Sequence, residues 1–231
     1  MTRYNAAREE MLRTIEAECR YTRGLTGKAR LSAGVMAAMG KVAREEFVPQ
    51  AMRPNAYDNS PLPIGNGQTI SQPFIVGLMT DLLEPEPADV ILEIGAGSGY
   101  QAAILAELVK EVHTVEIIPA LARNARERLS RLGYRNVIVR EGDGYEGLPD
   151  HAPYDGIIVT AAAPHIPPPL LAQLKTGAKL VIPVGRPHAV QELLVITRDE
   201  HGRLREQEVL AVSFVPLTGE GQRLKGIDFS E

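Results

Sequence analysis

The sequence predicts an α/β fold: a Rossmann-like, doubly wound, mostly parallel sheet of seven strands with N-terminal helices and a C-terminal antiparallel hairpin. Between residues 74 and 183, short buried strands alternate with amphipathic helices, which is typical of a parallel sheet with crossover helices. A glycine-rich turn also joins the first of these strands to the next helix, and sheets of this kind bind their ligands at such turns.

The chain of 231 residues is long enough for one large domain, which we expect to have four parts. These are an N-terminal helical extension (1–50), a substrate or active-site loop (51–73), a cofactor-binding core (74–190) and a C-terminal hairpin with a tail (191–231). Apolar residues at helical spacing predict two helices in the extension, over Asn5–Arg23 and Ser32–Arg44. Pro49 ends the second, because a residue before proline disfavours the helical conformation.

Arg53–Pro73 has no helical or alternating period and is punctuated by proline and glycine. A long irregular segment inside a compact domain is usually functional or disordered. Tyr57, Leu62 and Ile70 provide apolar anchors, which favours function.

Regular elements are predicted through the core and the hairpin. In chain order they are helix Phe74–Leu83, strand Asp89–Glu93, helix Gln101–Leu108, strand Val112–Glu116, helix Pro119–Leu132, strands Val137–Arg140 and Gly156–Thr160, helix Pro168–Leu174, strand Ala178–Pro183, and strands Glu192–Thr197 and Arg205–Val215.

Composition and residue spacing exclude several kinds of site and partner. The net charge is −4, so nothing global attracts nucleic acid or anionic membrane, and the arginines at 123, 126, 128 and 131 are interpreted as a solvated helix face. With Cys19 as the single cysteine and five histidines lacking ligand spacing, no disulfide or metal site is predicted. No signal peptide or long apolar run is present, so we expect a cytoplasmic enzyme without nucleic-acid or membrane partners.

The glycine-rich turn carries the strongest chemical signal. A dinucleotide favours Gly-x-Gly-x-x-Gly, whereas here the third glycine comes one residue early and an acid precedes the first. An acid suits a cationic sulfonium and would repel a pyrophosphate, so the turn favours S-adenosylmethionine and a class I methyltransferase type of fold. The residues assigned to the cofactor here are Glu93, Gly95, Gly97, Ser98 and Gly99.

Two further acids follow later strands of the predicted sheet. Glu116 ends the strand after the glycine turn, where a carboxylate accepts ribose hydroxyls, although a plain surface acid is the alternative. Asp143, followed by Gly144, lies after the third strand, where it could accept the adenine amine or simply form a turn.

Two features that the sequence lacks narrow the chemical class of the methyl acceptor. The segment Val159–His165 lacks the Asn/Asp-Pro-Pro-aromatic turn that amine methylation calls for, and no general-base pair is visible. A carboxylate acceptor needs no base because it is already ionised at neutral pH. Alternatives left open are a small-molecule or RNA methyltransferase and a cofactor-binding protein without turnover; a nicotinamide dehydrogenase is disfavoured.

From about Ser32 to Gln222 the chain resembles the protein-L-isoaspartate (D-aspartate) O-methyltransferase family. The matching motifs are Phe47-Val48-Pro49, Ala56-Tyr57, Pro61-Leu62-Pro63-Ile64-Gly65, Gln68-Thr69-Ile70-Ser71-Gln72-Pro73, Leu92-Glu93-Ile94-Gly95 with its glycines, and Pro216-Leu217-Thr218.

The resemblance implies an enzyme that esterifies the free carboxylate of isoaspartyl or D-aspartyl residues in damaged proteins, with repair through a succinimide. It places the family's active-site serine on Ser71 and brings Thr69, Ile70 and Thr218 to the pocket. From local sequence alone, Ser71 could instead cap the following helix. The expected partners are isoaspartyl proteins and peptides, and the expected state is a monomer.

Overall fold

The computed structural model describes residues 4–187 and 189–223, so the end of the predicted tail and His188 lie outside the described residues. The α-helices are α1 (Asn5–Thr26), α2 (Ala33–Lys41), α3 (Pro73–Leu83), α4 (Tyr100–Ala106), α5 (Pro119–Arg131) and α6 (Pro168–Ala172). Short 3-10 turns occupy Arg44–Phe47, Gln50–Asn55, Pro149–His151 and Glu220–Arg223. None of the helices in the described ranges has the length and apolar character needed to cross a membrane.

Seven strands form the main sheet, and two more form a separate hairpin. The hairpin strands are β1 (Leu62–Gly65) and β2 (Gln68–Ile70); those of the sheet are β3 (Val90–Ile94), β4 (Glu111–Glu116), β5 (Val137–Glu141), β6 (Tyr154–Val159), β7 (Leu174–Val184), β8 (Gln191–Arg198) and β9 (Leu204–Val212). Their order is β5-β4-β3-β6-β7-β8-β9, parallel up to β7 and antiparallel at β8 and β9. The predicted fold class is confirmed.

Helices cover both faces of the sheet. Because successive side chains of a strand point to opposite sides, each strand contributes buried residues to both layers. On β3, Ile91 belongs to the core beneath α1 to α5, whereas its neighbour Leu92 belongs to the core beneath α6. This double burial explains why the parallel strands are almost continuously apolar in sequence.

The position of a ligand site follows from the strand order. β3 pairs with β4 on one side and with β6 on the other, so the chain leaves the carboxyl end of β3 at the point where the order reverses. Crevices at such a switch point are the usual ligand sites of open α/β sheets. The glycine-rich turn begins directly after β3.

The segment predicted as irregular, Arg53–Pro73, is more regular than expected. It contains the end of a 3-10 turn and the antiparallel hairpin β1–β2. The turn is Asn66-Gly67, and both residues have positive φ, 52° and 72°. An Asn-Gly pair is the preferred sequence for a two-residue hairpin turn, but strands this short, one with proline, give too little alternation to reveal it.

Some element boundaries also differ from prediction. α6 stops at Ala172, so Leu174 begins β7 instead of ending a helix, and β9 stops at Val212. The alternative of Ser71 as a helix cap is wrong, because α3 begins at Pro73 with Gln72 in the capping position and no side-chain cap bond there. The amide of Phe74 instead donates to Oδ1 of Asn59 at 3.1 Å.

Candidate active site

A cleft of about 760 Å³, including its mouth, lies over the carboxyl ends of β3, β4 and β6. We call it the cofactor cleft. Of the predicted site residues it is lined by Thr69, Ile70, Ser71, Gly95, Gly97, Ser98, Glu116, Gly144 and Thr218. The structure therefore brings together residues from five separate segments of the chain that the sequence had assigned to one site.

Side chains that donate hydrogen bonds to its carbonyl groups fix the glycine turn. Gly95 and Gly97 have φ of 96° and 52°, in a region that favours glycine, and a Cβ on Gly95 would lie 2.6 Å from Oγ1 of Thr160. Thr160 in turn donates from that oxygen to the carbonyl of Gly95 at 2.6 Å. Arg128 on α5 donates to the carbonyl of Ser98 at 2.8 Å, so this member of the presumed solvated arginine face supports the site.

Glu116 lies at the end of β4 and is almost fully buried. One carboxylate oxygen accepts from the amide of Gly97 at 2.8 Å and the other from the amide of Ile118 at 2.9 Å. Each oxygen has a second lone pair free, so the group can also accept from two neighbouring hydroxyls. A ribose presents this pair of hydroxyls, and the residues present therefore fit an adenosyl group.

Glu93 does not line the cofactor cleft. Its side chain is fully buried, and neither carboxyl oxygen has a hydrogen-bond partner within the described part of the chain. Burial, with a smaller contribution from the charge of Glu116, raises the pKa of Glu93 to about 8. Because this carboxyl lies behind the lining residues, its position does not match the expectation of an anion that faces a sulfonium. Gly99 also lies outside the cleft wall. A Cβ added to it would lie 3.1 Å from Cδ1 of Leu129.

Asp143 lies behind the wall as well. Its carboxylate accepts from the amide of Tyr145 at 2.9 Å and from the amide of Glu220 at 2.7 Å. These bonds hold the C-terminal segment, which is a supporting role, and the expected contact with the adenine amine stays a prediction. That segment brings Thr218 to the cleft, helped by the amide of Leu217, which donates to the carbonyl of Ala162 at 2.8 Å.

A second cleft opens beside the first, and we call it the acceptor cleft. Both clefts share four lining residues: Thr69, Ser71, Thr160 and Val215. Its remaining wall comes from Pro61, Gln72, Ile75, Val190 and 211–214. Ser71 therefore stands between the two clefts, and its hydroxyl takes part in no hydrogen bond with residues 4–187 and 189–223.

Arg44 positions the backbone at Ser71. Its guanidinium donates from Nη2 to the carbonyl of Ser71 and from Nε to the carbonyl of Ala56, both at 2.7 Å. It stacks over the ring of Tyr100, with 4.7 Å to the ring centroid, and Tyr100 lines the cofactor cleft. Burial lowers the pKa of Arg44, yet an arginine stays charged at neutral pH.

The sequence interpretation missed Thr160, Arg44 and Arg128 as site residues. Thr160 could have been found from its place after β6, next to β3 at the switch point. Arg44 and Arg128 act through their side chains on backbone carbonyls that are distant in sequence, and no local pattern marks such contacts.

The charges of the two clefts are sparse. Among the described lining residues, Glu116 is the only carboxylate, and neither lysine, arginine nor histidine occurs. None of the described residues that line the acceptor cleft can take a proton at neutral pH, which fits a substrate that reacts without a general base.

Comparisons with known proteins agree with this geometry. The family model described as protein-L-isoaspartate(D-aspartate) O-methyltransferase matches residues 25–222. The protein-L-isoaspartate O-methyltransferase 2 of Syntrophobacter fumaroxidans is 59% identical over 216 residues, covering 94% of this chain and 87% of the relative. The enzyme of the same name from Polaromonas sp. is 57% identical, covering 91% of this chain and all of the relative.

Solved structures give the same result. A protein-L-isoaspartate O-methyltransferase superposes with a TM-score of 0.78 at 27% identity, covering 92% of this chain and 66% of that one. A putative enzyme of this kind from Plasmodium falciparum, with S-adenosyl-L-homocysteine bound, superposes with a TM-score of 0.71; at 23% identity it supports the fold alone. Together with the match of the family model, these relatives show that the chain belongs to the protein-L-isoaspartate(D-aspartate) O-methyltransferase family.

Proposed function

We propose that the protein transfers a methyl group from S-adenosylmethionine to the free carboxylate of isoaspartyl and D-aspartyl residues in damaged proteins. The observation that carries this is the position of Ser71, whose free hydroxyl stands between the cofactor cleft and the acceptor cleft. Family membership points to the same substrate. The methyl ester formed in this way would collapse to a succinimide, which reopens partly to normal aspartate.

In the cofactor cleft, Glu116 would accept the two ribose hydroxyls, while the backbone of Gly95 and Gly97 would pass close to the cofactor without side chains in between. Thr69, Ile70 and Thr218 would form the rest of the wall. We assign Glu93, Gly99 and Asp143 a supporting role, because they lie behind the lining residues. This arrangement would hold one ligand with its reactive end directed to Ser71.

The bound cofactor supplies an electrophilic methyl group on a positively charged sulfur. In the acceptor cleft the hydroxyl of Ser71 would donate a hydrogen bond to the acceptor carboxylate, fixing one oxygen for attack. The carboxylate oxygen would form the new bond to carbon as the carbon–sulfur bond breaks, and the electron pair of that bond would remain on sulfur. No proton moves, so alignment of the reactants provides the catalysis.

The deciding experiment compares an isoaspartyl peptide with the same peptide containing normal aspartate, using cofactor labelled in the methyl group. We expect base-labile label in the isoaspartyl peptide and almost none in the other. Equal labelling of both peptides would refute the substrate assignment, and cofactor binding without labelling would favour a protein that binds the cofactor without turnover.

RNA and small molecules are the alternative methyl acceptors. The same labelled cofactor is incubated with RNA and with free aspartate, and we expect no transfer of the methyl group to either. We also propose that the protein acts as a monomer. Light scattering during gel filtration, with activity measured across a dilution series, tests this.

A further inference from the structure

Arg44 carries a charge that the protein itself does not neutralise. Its side chain is fully buried, and its Nη1 has no hydrogen-bond partner among the described residues. Its two bonded nitrogens donate to carbonyls of Ala56 and Ser71. Within the described ranges, no carboxylate forms an ion pair with it. A buried charge of this kind is costly unless it is paired, so its retention calls for a partner.

The neighbouring acid is not that partner. Glu45 accepts a hydrogen bond from the hydroxyl of Tyr57, and it lies 3.7 Å from Nη2 of Arg8 on α1. Arg8 also donates to the Tyr57 hydroxyl at 2.8 Å. Glu45 is thus turned to a separate cluster with α1, and the guanidinium of Arg44 is left facing the backbone of the active-site segment.

The acceptor cleft, in contrast, is expected to receive a negative charge without a cation among the lining residues that the structure describes. Its described lining residues include no lysine, arginine or histidine. Arg44 lies directly behind this wall, bonded to the carbonyl of the residue whose hydroxyl faces the cleft. A positive charge in a poorly solvated position acts over several ångströms with less screening than one in water.

We propose that Arg44 is a positioning and specificity-determining residue whose uncompensated charge, acting through the wall at Ser71, selects an ionised carboxylate in the acceptor cleft. This inference depends on the proposed function, because it takes the carboxylate acceptor as its ligand. The charge stays behind the wall and leaves the carboxylate oxygen free to react, whereas a direct ion pair would hold that oxygen. The bonds to the carbonyls of Ser71 and Ala56 fix the distance between the guanidinium of Arg44 and the acceptor cleft.

The test uses the full chain with S-adenosylhomocysteine bound, so that no transfer takes place. Binding of a fluorescent isoaspartyl peptide is compared with binding of the same peptide with a carboxamide in place of the free carboxylate. We expect the unmodified protein to prefer the carboxylate and Arg44→Met to lose about tenfold of that preference, while Arg44→Lys keeps most of it. With active cofactor, the KM of Arg44→Met for the peptide should rise more than its kcat falls.

The matched control is Arg126→Met, which removes another arginine bonded to a backbone carbonyl, that of Val139, away from the clefts. It should leave the preference unchanged. An undiminished preference in Arg44→Met, or an equal loss in Arg44→Lys, would overturn the inference. If Arg44→Met does not fold, Arg44→Lys decides alone: a fall of about tenfold overturns the charge effect and a fall within about threefold supports it. Failure of the unmodified protein to bind the isoaspartyl peptide would instead refute the proposed function.

Discussion

The two walls of the active site are held by different kinds of contact. On the cofactor side, backbone bonds between strands add to side-chain bonds: the amide of Gly95 donates to the carbonyl of Val115 at 2.8 Å, and the side chain of Glu116 accepts from the amide of Gly97. On the acceptor side, side chains from other parts of the chain hold the segment. Arg44 bonds the carbonyl of Ser71, and Asn59 bonds the first turn of α3.

This difference has a physical consequence. Contacts made by the backbone of neighbouring strands follow from the sheet itself and form whenever the sheet forms. Contacts made by single buried side chains depend on one residue each, so one substitution can move the acceptor wall and leave the cofactor wall in place. We therefore expect substitutions in the cofactor wall to lower cofactor affinity, and substitutions in the acceptor wall to lower turnover of the peptide.

The largest effect is expected for Glu116→Ala. It removes a carboxylate that accepts two backbone hydrogen bonds and is placed to accept the ribose hydroxyls. Loss of charge-assisted bonds of this kind corresponds to about 3 kcal/mol, or roughly 100-fold in the dissociation constant of the cofactor. Calorimetric titration measures it, with the exposed Glu127→Ala on α5 as the control. Unchanged affinity would remove the ribose assignment.

Ser71→Ala should have the opposite profile. The hydroxyl is placed to bond the acceptor carboxylate, and a hydrogen bond to a charged group contributes about 2 kcal/mol. We expect turnover of the isoaspartyl peptide to fall roughly 30-fold with nearly unchanged cofactor affinity. Steady-state kinetics and calorimetry on the same preparation test it. Full turnover in the variant would show that the backbone alone aligns the acceptor.

The cofactor wall and the sheet could be predicted from the sequence because they depend on short-range patterns. The turn at Gly95 follows an apolar strand, and Glu116 ends the next one, so spacing along the chain reflects spacing in the sheet. The parallel direction of the strands also follows from the alternation of strands and helices, since parallel strands need crossover helices. The antiparallel end at β8 and β9 was visible from its turn residues.

The acceptor wall could be predicted only through family resemblance, and its supports could not be predicted at all. The hairpin β1–β2 is too short for a clear alternation, and Arg44 resembles any polar residue at a helix end. Glu93, on the cofactor side, shows the same limit of prediction from sequence. Its place before the glycines was clear, but whether its carboxyl faced a ligand or the interior depended on packing by α4 and β4.

Glu93→Gln sharpens the comparison on the cofactor side. With a pKa of about 8 in the folded protein and 4.5 as the ordinary value, the folded state holds a proton that the unfolded state releases between these two values. The stability contributed by this proton is present below pH 4.5 and is lost as the pH rises towards 8. Wild-type protein should therefore lose about 2 kcal/mol relative to Glu93→Gln between roughly pH 5.5 and 7.5.

Urea denaturation at several pH values, without cofactor, measures this difference. Glu127→Gln, at an exposed site, serves as the control and should run parallel to the wild type. If Glu93→Gln also runs parallel, the carboxyl is ionised in the folded protein, and its original interpretation as a counter-charge near the cofactor regains support.

The smallest effect is expected for Asn59→Ala on the acceptor side. Its Oδ1 accepts from the amide of Phe74 at 3.1 Å, so it takes the part of a helix cap although it lies far from the helix start in sequence. Loss of a cap costs about 1 kcal/mol of stability. Asn55→Ala, which removes an exposed bond to Asp58, is the matched control. Thermal denaturation should separate the two variants, and peptide KM should rise only in Asn59→Ala, because α3 begins two residues after Ser71. If both variants behave alike, the start of α3 does not depend on the bond from Asn59.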